Sequence, residues 1–338
     1  MGENKLIGCD LKGKRILFFS TFFFGYETFI KSTLEGMGAI VDSYNERPDE
    51  TVITKAMIRI NRDIIAKKVD TYHRKIFLET KHIPYDFVFF IRCEAFSRDS
   101  ISRLRQYHPR AIFISYFWDS TLNSKNIVRV YDLFDKSFSF DKHDCEKYGM
   151  NFLPLFYIDD YAKVTKPLEY LYKTLFIGTL HSDRYRTVKK IIATPSLEKH
   201  NNFTWFYLSS KLLLYKMKWT DKSLSITKPQ DIVYKKLGLS DILILFEKSE
   251  IIIDIQHPNQ TGLTMRTFEA MGARRKLITT NADIINYDFY NSNNILCVNR
   301  EDIDVPEDFI NSPCVEIKNE IYKSYSLSSW LKKIFIDN

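Results

Sequence analysis

The sequence is poor in residues that break or cross-link a chain. It holds 11 glycines and 10 prolines among 338 residues, which argues against a disordered protein. Five scattered cysteines form no Cys-x-x-Cys pair and are odd in number, so neither a zinc site nor a disulfide framework is predicted. No run reaches the ~18 apolar residues of a membrane-spanning helix, and the first residues lack a signal-peptide core. We therefore expect a cytoplasmic protein with reduced thiols.

Apolar and aromatic residues are plentiful, and basic residues outnumber acidic ones. The 45% hydrophobic content supports large cores, and 338 residues suffice for two domains. Lys and Arg exceed Asp and Glu by 49 − 42 = 7, which fits an anionic partner such as a membrane surface or a nucleotide, or simply a lysine-rich solvated surface. Nucleic acid is not expected as a partner, because there is no binding motif and no basic stripe.

The first half of the chain alternates apolar runs with helical patterns. Strands are predicted at Arg15–Ser20, Ala39–Tyr44, Tyr85–Ile91, Ala111–Phe117, Lys136–Phe140 and Asn151–Leu155. Helices are predicted at Tyr26–Gly38, Lys55–Lys81, Arg98–Tyr107, Asn126–Phe134 and Lys142–Tyr148, the last with Asp141 as its N-cap. This alternation indicates a parallel sheet covered on both faces. We assign residues 1–160 to a first Rossmann-like domain.

The alternation restarts in the second half, after a polar stretch near residue 160. Strands are predicted at Lys173–Ile177, Phe203–Leu208, Ile251–Asp254, Leu277–Thr280 and Ile295–Val298. Helices are predicted from Ser182 to Ile192, at Asp241–Lys248 and at Asn319–Ile336. Residues 161–318 therefore form a second Rossmann-like domain, and residues 319–338 a terminal helix that packs back across both domains.

The stretch from Asp254 to Gly272 reads as a strand end, a polar loop and a short helix. A loop that feeds a helix N-terminus presents free N–H groups and a positive dipole end, which suits phosphate. Arg266 and Glu269 are three residues apart and share one helix face. A buried carboxylate one turn into the helix can accept two hydrogen bonds from a ribose diol. A nucleotide site is predicted here, and a surface ion pair in an ordinary α/β unit is the alternative.

Residues 204–222 are rich in aromatic and basic side chains, and no acidic residue occurs between Thr204 and Trp219. The lysines of this segment are Lys211, Lys216, Lys218 and Lys222. A helix of this type can lie in a membrane interface with its lysines at anionic headgroups. The alternative is a strand and a helix packed into the second domain. Contact of residues 204–222 with the inner leaflet is kept as a hypothesis.

The segment His257–Gly272, preceded by a strand, Gly178-Thr179 and a helix, resembles the C-terminal half of a GT-B glycosyltransferase. Shorter matching pieces extend through most of the chain, at Phe23–Glu27, Phe117–Ser120, Phe138–Asp141, Leu153–Tyr157, Phe176–Thr179 and His181–Arg184. More specifically, the chain resembles bacterial glycosyltransferases of capsule and lipopolysaccharide biosynthesis, including the CgeB-like group. The resemblance implies an α/β protein of the GT-B fold, with two Rossmann-like domains and parallel sheets.

The resemblance also implies a nucleotide-sugar donor, with UDP-sugar favoured, held mainly by the second domain. Glu269 matches the carboxylate that binds the donor ribose. Thr261, Gly262, Leu263 and Thr264 match the loop and helix start near the donor phosphates or sugar, and Gln260 and Arg266 are expected at the same donor site. Gly178 and Thr179 match the first glycine turn, Arg184 is a candidate phosphate partner, and His181 and His257 flank the site or make structural hydrogen bonds.

The expected reaction transfers the sugar to a hydroxyl of a lipid-linked surface polysaccharide. Thr261 stands where many retaining GT-B enzymes carry a second glutamate, eight positions before Glu269, so the stereochemistry stays open. An inverting reaction needs a general base, expected at strand ends that face the interdomain cleft. The candidates are Asp119, Glu94 and Glu27, with Asp119 placed first.

We expect neither a metal nor a cofactor. The Asp-x-Asp metal motif of the other large glycosyltransferase fold is missing, and Asp159-Asp160 falls in the linker. The helix dipole and basic side chains would stabilise the leaving diphosphate instead. The hypothesis is a cytoplasmic glycosyltransferase that is peripheral on the inner membrane. The alternative is a non-catalytic nucleotide- or glycan-binding module on the same fold.

Overall fold

A computed structural model describes residues 10–22, 25–220, 224–258 and 260–337. Phe23, Phe24, Lys222 and Asn259, which belong to the motifs considered above, lie outside these ranges. The chain divides into two compact units: the first comprises Met1–Pro154 with Leu327–Asn338, and the second comprises Leu155–Ser326. Within the described ranges, no helix combines the length and the apolar character that crossing a membrane requires.

The first unit is built on a six-stranded parallel sheet. Its strands are β1 (Arg15–Ser20), β2 (Ile40–Asn45), β3 (Phe87–Ile91), β4 (Ile112–Phe117), β5 (Lys136–Ser139) and β6 (Asn151–Phe152), in the spatial order β2-β1-β3-β4-β5-β6. Its helices are α1 (Tyr26–Gly36), α2 (Val52–Asn61), α3 (Ala66–Thr80), α4 (Arg98–Tyr107), α5 (Asn126–Val130), α6 (Lys142–Tyr148) and, from the end of the chain, α15 (Leu327–Phe335).

Both faces of this sheet are buried, as continuous apolar strands require. Leu17 and Phe19 of β1 point to one face and join a core with residues of α3 and α4. Phe89 points to the other face, where α15 covers it. The ring centroid of Phe89 lies 6.4 Å from that of Trp330 and 5.2 Å from that of Phe335. Full burial of one such side chain contributes roughly 1.5–3 kcal/mol, so α15 is a substantial part of this core.

The prediction of one continuous helix at Lys55–Lys81 is wrong, because a 3-10 turn at Arg62–Ile65 separates α2 from α3. Asn61 has an extended backbone (φ −162°, ψ 111°), and its side chain accepts a 3.0 Å hydrogen bond from the Asp63 N–H. This local capping competes with the helical hydrogen bond. The buried Arg62 side chain donates a 2.8 Å hydrogen bond to the Ala95 carbonyl and so holds the turn against the unit.

The second unit is also built on a six-stranded parallel sheet. Its strands are β7 (Tyr172–Thr179), β8 (Asn202–Tyr207), β9 (Ile232–Val233), β10 (Ser249–Asp254), β11 (Lys276–Thr279) and β12 (Ile295–Cys297), in the order β12-β11-β10-β7-β8-β9. Its helices are α7 (Asp159–Ala162), α8 (Arg184–Ile192), α9 (Pro195–Glu198), α10 (Lys211–Thr220), α11 (Leu239–Glu247), α12 (Met265–Gly272), α13 (Glu307–Asn311) and α14 (Asn319–Ser324).

The terminal segment predicted as one helix, Asn319–Ile336, forms two, α14 and α15. The break falls at Tyr325 and Ser326. The Tyr325 carbonyl accepts a 2.9 Å hydrogen bond from the Tyr157 N–H, and the Tyr325 hydroxyl donates to Asp288 at 2.6 Å. These contacts within the second unit hold Tyr325 outside helical geometry (φ −100°, ψ 8°), so the chain leaves one unit and enters the other at this point.

Candidate functional site

The second unit has a topological switch point between β7 and β10. The chain runs from β7 to β8 and β9 on one side of the sheet, then returns to β10 on the other side of β7. In open parallel sheets, the loops at the carboxyl ends diverge at such a point and leave a crevice that binds ligands. The loops that end here are residues 180–183 after β7 and residues 255–264 after β10. They contain most of the predicted donor-site residues.

Arg184, the first residue of α8, ties the two loops together. Its Nε and Nη2 donate to the Ile255 carbonyl at 2.9 and 2.6 Å, and its Nη1 donates to the Thr179 carbonyl at 2.9 Å. Burial lowers the pKa of Arg184 to about 10, and the guanidinium stays charged at neutral pH. Three of its five N–H donors are thus engaged with backbone. Its predicted role as a phosphate partner therefore depends on the other two N–H groups of the guanidinium.

Gly178 makes room for this guanidinium. A Cβ at this position would lie 2.8 Å from Cζ of Phe176 and 3.2 Å from Nη1 of Arg184. The Phe176 ring is buried and cannot move away freely. The glycine predicted to permit a close approach to pyrophosphate is therefore required by packing within the unit itself.

His181 and His257 lie on the two sides of the switch point, with ring centroids 5.6 Å apart. His181 Nδ1 is 2.9 Å from the Ser182 hydroxyl. Burial, followed by the positive charge of Arg184 and by His257, lowers the pKa of His181 to about 3. His181 is consequently neutral at physiological pH and can offer a hydrogen bond but no positive charge. Sequence reasoning placed both histidines at this site, and the structure brings them together.

Arg300 is a member of this edge that sequence reasoning missed. It follows β12, and its Nη1 lies 2.8 Å from both carboxylate oxygens of Asp183, while its Nη2 donates to the Gln256 carbonyl at 2.7 Å. The pair is largely buried. The carboxyl ends of parallel strands share one edge of a sheet, so the position of Arg300 after a strand was the signal that could have found it.

Asp254, at the end of β10, anchors the start of α12. Its Oδ2 accepts hydrogen bonds from the hydroxyls of Thr264 at 2.7 Å and Thr267 at 2.8 Å. The Thr264 hydroxyl also accepts a 3.1 Å hydrogen bond from the Arg266 N–H and so caps the helix. Burial raises the pKa of Asp254. The helix therefore starts directly after Thr264, and the buried carboxylate beneath it was not anticipated from the sequence.

The loop before α12 is pinned by two amide side chains. Gln260 Nε2 donates to the Gly262 carbonyl at 2.9 Å, and Asn281 Nδ2 donates to the Thr261 carbonyl at 2.9 Å and more weakly to Gly262 at 3.3 Å. The Thr261 side chain is exposed, whereas Leu263 is buried in the unit. This loop therefore reaches α12 in a defined path and presents Thr261 to solvent. Asn281 was also missed from the sequence.

Arg266 and Glu269 form the predicted pair, and the pair is buried rather than on the surface. Arg266 Nη1 lies 2.6 Å from Glu269 Oε2, with 17% and 8% of the two side chains exposed. Both side chains hydrogen-bond the Tyr161 hydroxyl. Burial, followed by the charge of Glu269, raises the pKa of that hydroxyl well above its usual range. A buried carboxylate with charged and neutral partners is held in a fixed orientation, as recognition of a diol requires.

The first unit brings two of the three candidate bases together. Arg92, which follows β3, contacts Glu94 at 3.1 Å and Asp119 at 2.6 Å through Nη2. The other oxygen of Glu94 accepts a 2.9 Å hydrogen bond from Nε of Arg47. Glu94 is almost fully buried, whereas 35% of the Asp119 side chain is exposed. The third candidate, Glu27, is partly buried in the first turn of α1.

Glu46 completes this charged group and was missed from the sequence, although it directly follows β2. It is fully buried, and its Oε1 accepts a 3.3 Å hydrogen bond from the Glu94 N–H. Burial, with a further contribution from the negative charge of Glu94, raises the pKa of Glu46 to about 8. The neighbouring Arg92 and Cys93 both have left-handed backbones, with φ of 76° and 54°. Consecutive non-glycine residues in this region are strained and persist only where the surroundings fix them.

Comparison of the sequence with protein-family models and with curated proteins finds no match. Solved structures do match. A glycosyltransferase from Rickettsia africae is 14% identical with a TM-score of 0.55, and the match covers 96% of this chain and 100% of that one. The UDP-forming α,α-trehalose-phosphate synthase of Burkholderia xenovorans, in complex with glucose-6-phosphate, is 10% identical with a TM-score of 0.61 and coverages of 96% and 99%. Anabaena HepE in complex with UDP-glucose is 8% identical with a TM-score of 0.60 and coverages of 95% and 98%.

These matches run through nearly the whole chain and include both parallel sheets. At such low identities they establish the architecture and leave the chemistry to be argued from the residues. The neighbours are GT-B glycosyltransferases. The fold of this chain is GT-B, an α/β fold of two Rossmann-like units, as the sequence predicted.

Proposed function

We propose that the protein is a glycosyltransferase that moves a sugar from a nucleoside-diphosphate donor to an acceptor hydroxyl. The observation that carries this proposal is the switch point of the second unit, where the loops after β7 and β10 and the N-terminus of α12 converge. UDP-sugar is the favoured donor. One structural neighbour holds UDP-glucose and another is named as UDP-forming, which supports a uridine nucleotide without showing it for this chain.

In this proposal the N-terminus of α12 faces the donor diphosphate. The helix dipole stabilises negative charge that accumulates on the leaving group. Glu269 accepts hydrogen bonds from the ribose hydroxyls, held in position by Arg266 and Tyr161. We propose that no metal ion takes part, since these groups can supply the stabilisation.

The chemical step forms one bond and breaks one. The acceptor oxygen attacks the anomeric carbon, the bond from that carbon to the diphosphate oxygen breaks, and its electron pair leaves with the diphosphate. In the inverting form of this reaction, a carboxylate takes the proton of the acceptor hydroxyl. Asp119, Glu94 and Glu27 of the first unit are the candidates for that base.

We further propose that the acceptor is a lipid-linked glycan of a surface polysaccharide, met by a cytoplasmic enzyme that is peripheral on the inner leaflet. The outward face of α10 supports membrane contact. Leu212, Tyr215 and Trp219 are 80%, 68% and 90% exposed and recur at helical spacing. Lys211 and Lys216 are exposed beside them, so the face combines apolar side chains with positive charge. Lys218, in contrast, donates to the Thr227 carbonyl at 2.5 Å.

The donor site is tested by a thermal-shift panel of UDP-, GDP-, CMP- and dTDP-sugars. A ligand that binds the native state raises its melting temperature by mass action. Glu269→Gln keeps the size of the side chain and removes its charge, so it should lose the shift given by the matching nucleotide. Glu250→Gln is the matched control, since it breaks a partly buried ion pair with Lys173 at the start of β10. It should keep the shift.

Two results would contradict the donor-site assignment. One is the lack of a shift with every nucleotide sugar. The other is an equal shift in wild type and Glu269→Gln. A nucleotide that binds without transfer to any glycan acceptor would favour the alternative, a non-catalytic binding module.

The membrane contact is tested by flotation with vesicles that contain phosphatidylglycerol or phosphatidylcholine alone. We expect binding to the anionic vesicles that weakens with salt and is reduced by Trp219→Ser. Leu168→Ser is the control, because Leu168 is also fully exposed in the second unit but lies outside α10. Equal flotation of both variants, or no binding of wild type, would contradict this part of the proposal.

A further inference from the structure

The three candidate bases of the first unit differ in what surrounds them, and this difference separates their roles. Glu94 is held on both oxygens: Arg47 Nε donates to Oε1 at 2.9 Å, and Arg92 Nη2 donates to Oε2 at 3.1 Å. Its side chain is 10% exposed. A substrate proton could reach it only if buried ion pairs were broken, which is strongly unfavourable. Glu94 therefore acts as an internal counter-ion.

Asp119 has the opposite character. It is held through Oδ2 by Arg92 at 2.6 Å, and 35% of its side chain faces solvent. It follows β4, which lies next to β3 in the sheet, so its carboxylate lies at the carboxyl edge of the sheet. Asp119 thus combines a fixed orientation with access for a substrate hydroxyl.

The backbone of Arg92 is held in place by the sheet. Its N–H donates to the Tyr116 carbonyl at 3.0 Å, and the left-handed backbone at Arg92 and Cys93 turns the chain sharply after β3. Its buried guanidinium spans the carboxylates of Glu94 and Asp119. When one carboxylate binds a planar guanidinium, the remaining N–H donors of the guanidinium point in fixed directions. The position of Asp119 is therefore set by Glu94 through Arg92.

We propose that Asp119 is the base of the transfer reaction and that Arg92 is its positioning residue, oriented by the buried Glu94. The inference rests on the proposed function. In the step itself, the acceptor oxygen forms its bond to the anomeric carbon and its proton passes to the Asp119 carboxylate. The bond between the anomeric carbon and the diphosphate breaks, and the diphosphate leaves with the electron pair.

The charges around this pair balance at neutral pH. Glu46 holds its proton there, since burial raises its pKa to about 8. Arg47 and Arg92 then offset Glu94 and Asp119. The other titratable or charged groups at this edge are Glu50 against Arg47, the Cys93 thiol, whose pKa is raised by burial, and His73, whose Nε2 lies 2.8 Å from the Glu46 carbonyl.

The test uses UDP-glucose as the probe, with water as the acceptor and UDP release as the signal. The variants are Asp119→Asn, Glu94→Gln, Arg92→Gln and Arg92→Lys. A general base contributes about 10²- to 10⁴-fold to the rate, so Asp119→Asn should lower kcat by that factor and leave the KM for UDP-glucose nearly unchanged. Glu94→Gln should lose much less, roughly tenfold or below, because its amide oxygen can still accept from one of the two guanidinium groups while Asp119 keeps its carboxylate.

Variants of Arg92 distinguish a positioning role from a purely structural one. Arg92→Gln should lower kcat more than KM, and Arg92→Lys, which restores the cation, should recover part of the loss. Arg98→Gln is the control, because Arg98 makes an exposed pair with Asp132 in the same unit, at 2.9 Å between Nη2 and Oδ2.

The outcomes separate the two proposals. If wild type neither binds a UDP-sugar nor releases UDP, the proposed function fails and this assignment fails with it. If wild type releases UDP and Asp119→Asn does so equally fast, or if Glu94→Gln loses as much as Asp119→Asn, only the assignment of the base fails. The melting temperature of each variant shows whether it folds. Should Arg92→Gln not fold, the partly exposed Asp119 still decides the question.

Discussion

Replacement of Glu46 by glutamine should change how the stability of the protein depends on pH. Burial, with the negative charge of Glu94, raises the pKa of Glu46 from its ordinary value of 4.5 to about 8. Between these values the folded state keeps a proton that the unfolded state has released. Since the unfolded state binds fewer protons, the free energy of unfolding falls as pH rises through this window. One pKa unit corresponds to about 1.4 kcal/mol, so the loss is on the order of 2–5 kcal/mol between pH 5 and 9.

Glutamine cannot ionise, and its carbonyl can still accept the Glu94 N–H, so the variant should lack this loss. Denaturant unfolding of wild type and Glu46→Gln at intervals from pH 5 to 9 measures the difference. We expect similar stabilities near pH 5 and a variant that is the more stable protein above pH 8. Glu35→Gln is the control, because Glu35 is an exposed residue of α1, and it should follow wild type. Parallel curves for wild type and Glu46→Gln from pH 5 to 9 would refute the reasoning, since Glu46 would then be ionised throughout.

Three further predictions concern the second unit. Gly272→Ala places a Cβ 2.7 Å from Cγ of the buried Tyr157, so thermal unfolding should show a loss of about 1–3 kcal/mol, and an unchanged melting temperature would contradict the packing argument. Asp254→Asn weakens the hydrogen bonds from the Thr264 and Thr267 hydroxyls beneath α12. If the helix loses ~1.4 kcal/mol of local stability, hydrogen exchange of its backbone amides should speed up roughly tenfold. Unchanged exchange would show that Asp254 does not anchor the helix. In wild type, the lowered pKa of His181 means that the unfolded state binds more protons than the folded state between pH 6.5 and pH 4, so acidification lowers the melting temperature. In His181→Gln this fall in melting temperature should be smaller. An equal fall in wild type and variant would count against the prediction.

The regular elements were predictable where one local signal was strong. Strand β1 and helices α4 and α6 have the predicted bounds. The hydroxyl of Ser97 accepts from the Ser100 N–H before α4, and the carboxylate of Asp141 accepts from the His143 N–H before α6, so each helix begins at a side chain that caps it. Continuous apolar runs sufficed to predict buried parallel strands, because both faces of each sheet are covered.

The errors in the helices have two physical origins. The break at Asn61 is local, since an amide side chain replaces a helical hydrogen bond, but the same residue type is tolerated in many helices. The break at Tyr325 depends on Tyr157, which is far away in the sequence, and a pattern of periodic apolar residues cannot reveal such a contact. Only at Tyr325 does a tertiary contact override helix propensity.

The site was predictable as a set of strand ends but not as a set of contacts. Gly178, His181, His257 and the start of α12 lie at one edge of the sheet because parallel strands end together. The partner of Asp183 is Arg300, which lies 117 residues later in the chain. Glu46 and Glu94, 48 residues apart, meet in the same way. Such pairs require the order of the strands, which the sequence does not state.

Helix α15 has a consequence for how the protein is made. Its Trp330 and Phe335 complete the core of the first unit against Phe89, yet they leave the ribosome after the entire second unit. Domains generally fold in order of synthesis, and here the first unit must wait, with an apolar face uncovered, until residues 327–335 emerge. A fragment that ends at Pro154 is thus expected to aggregate, whereas the same fragment fused to residues 327–335 could close its core. Maturation of the first half of the chain is therefore tied to completion of the second.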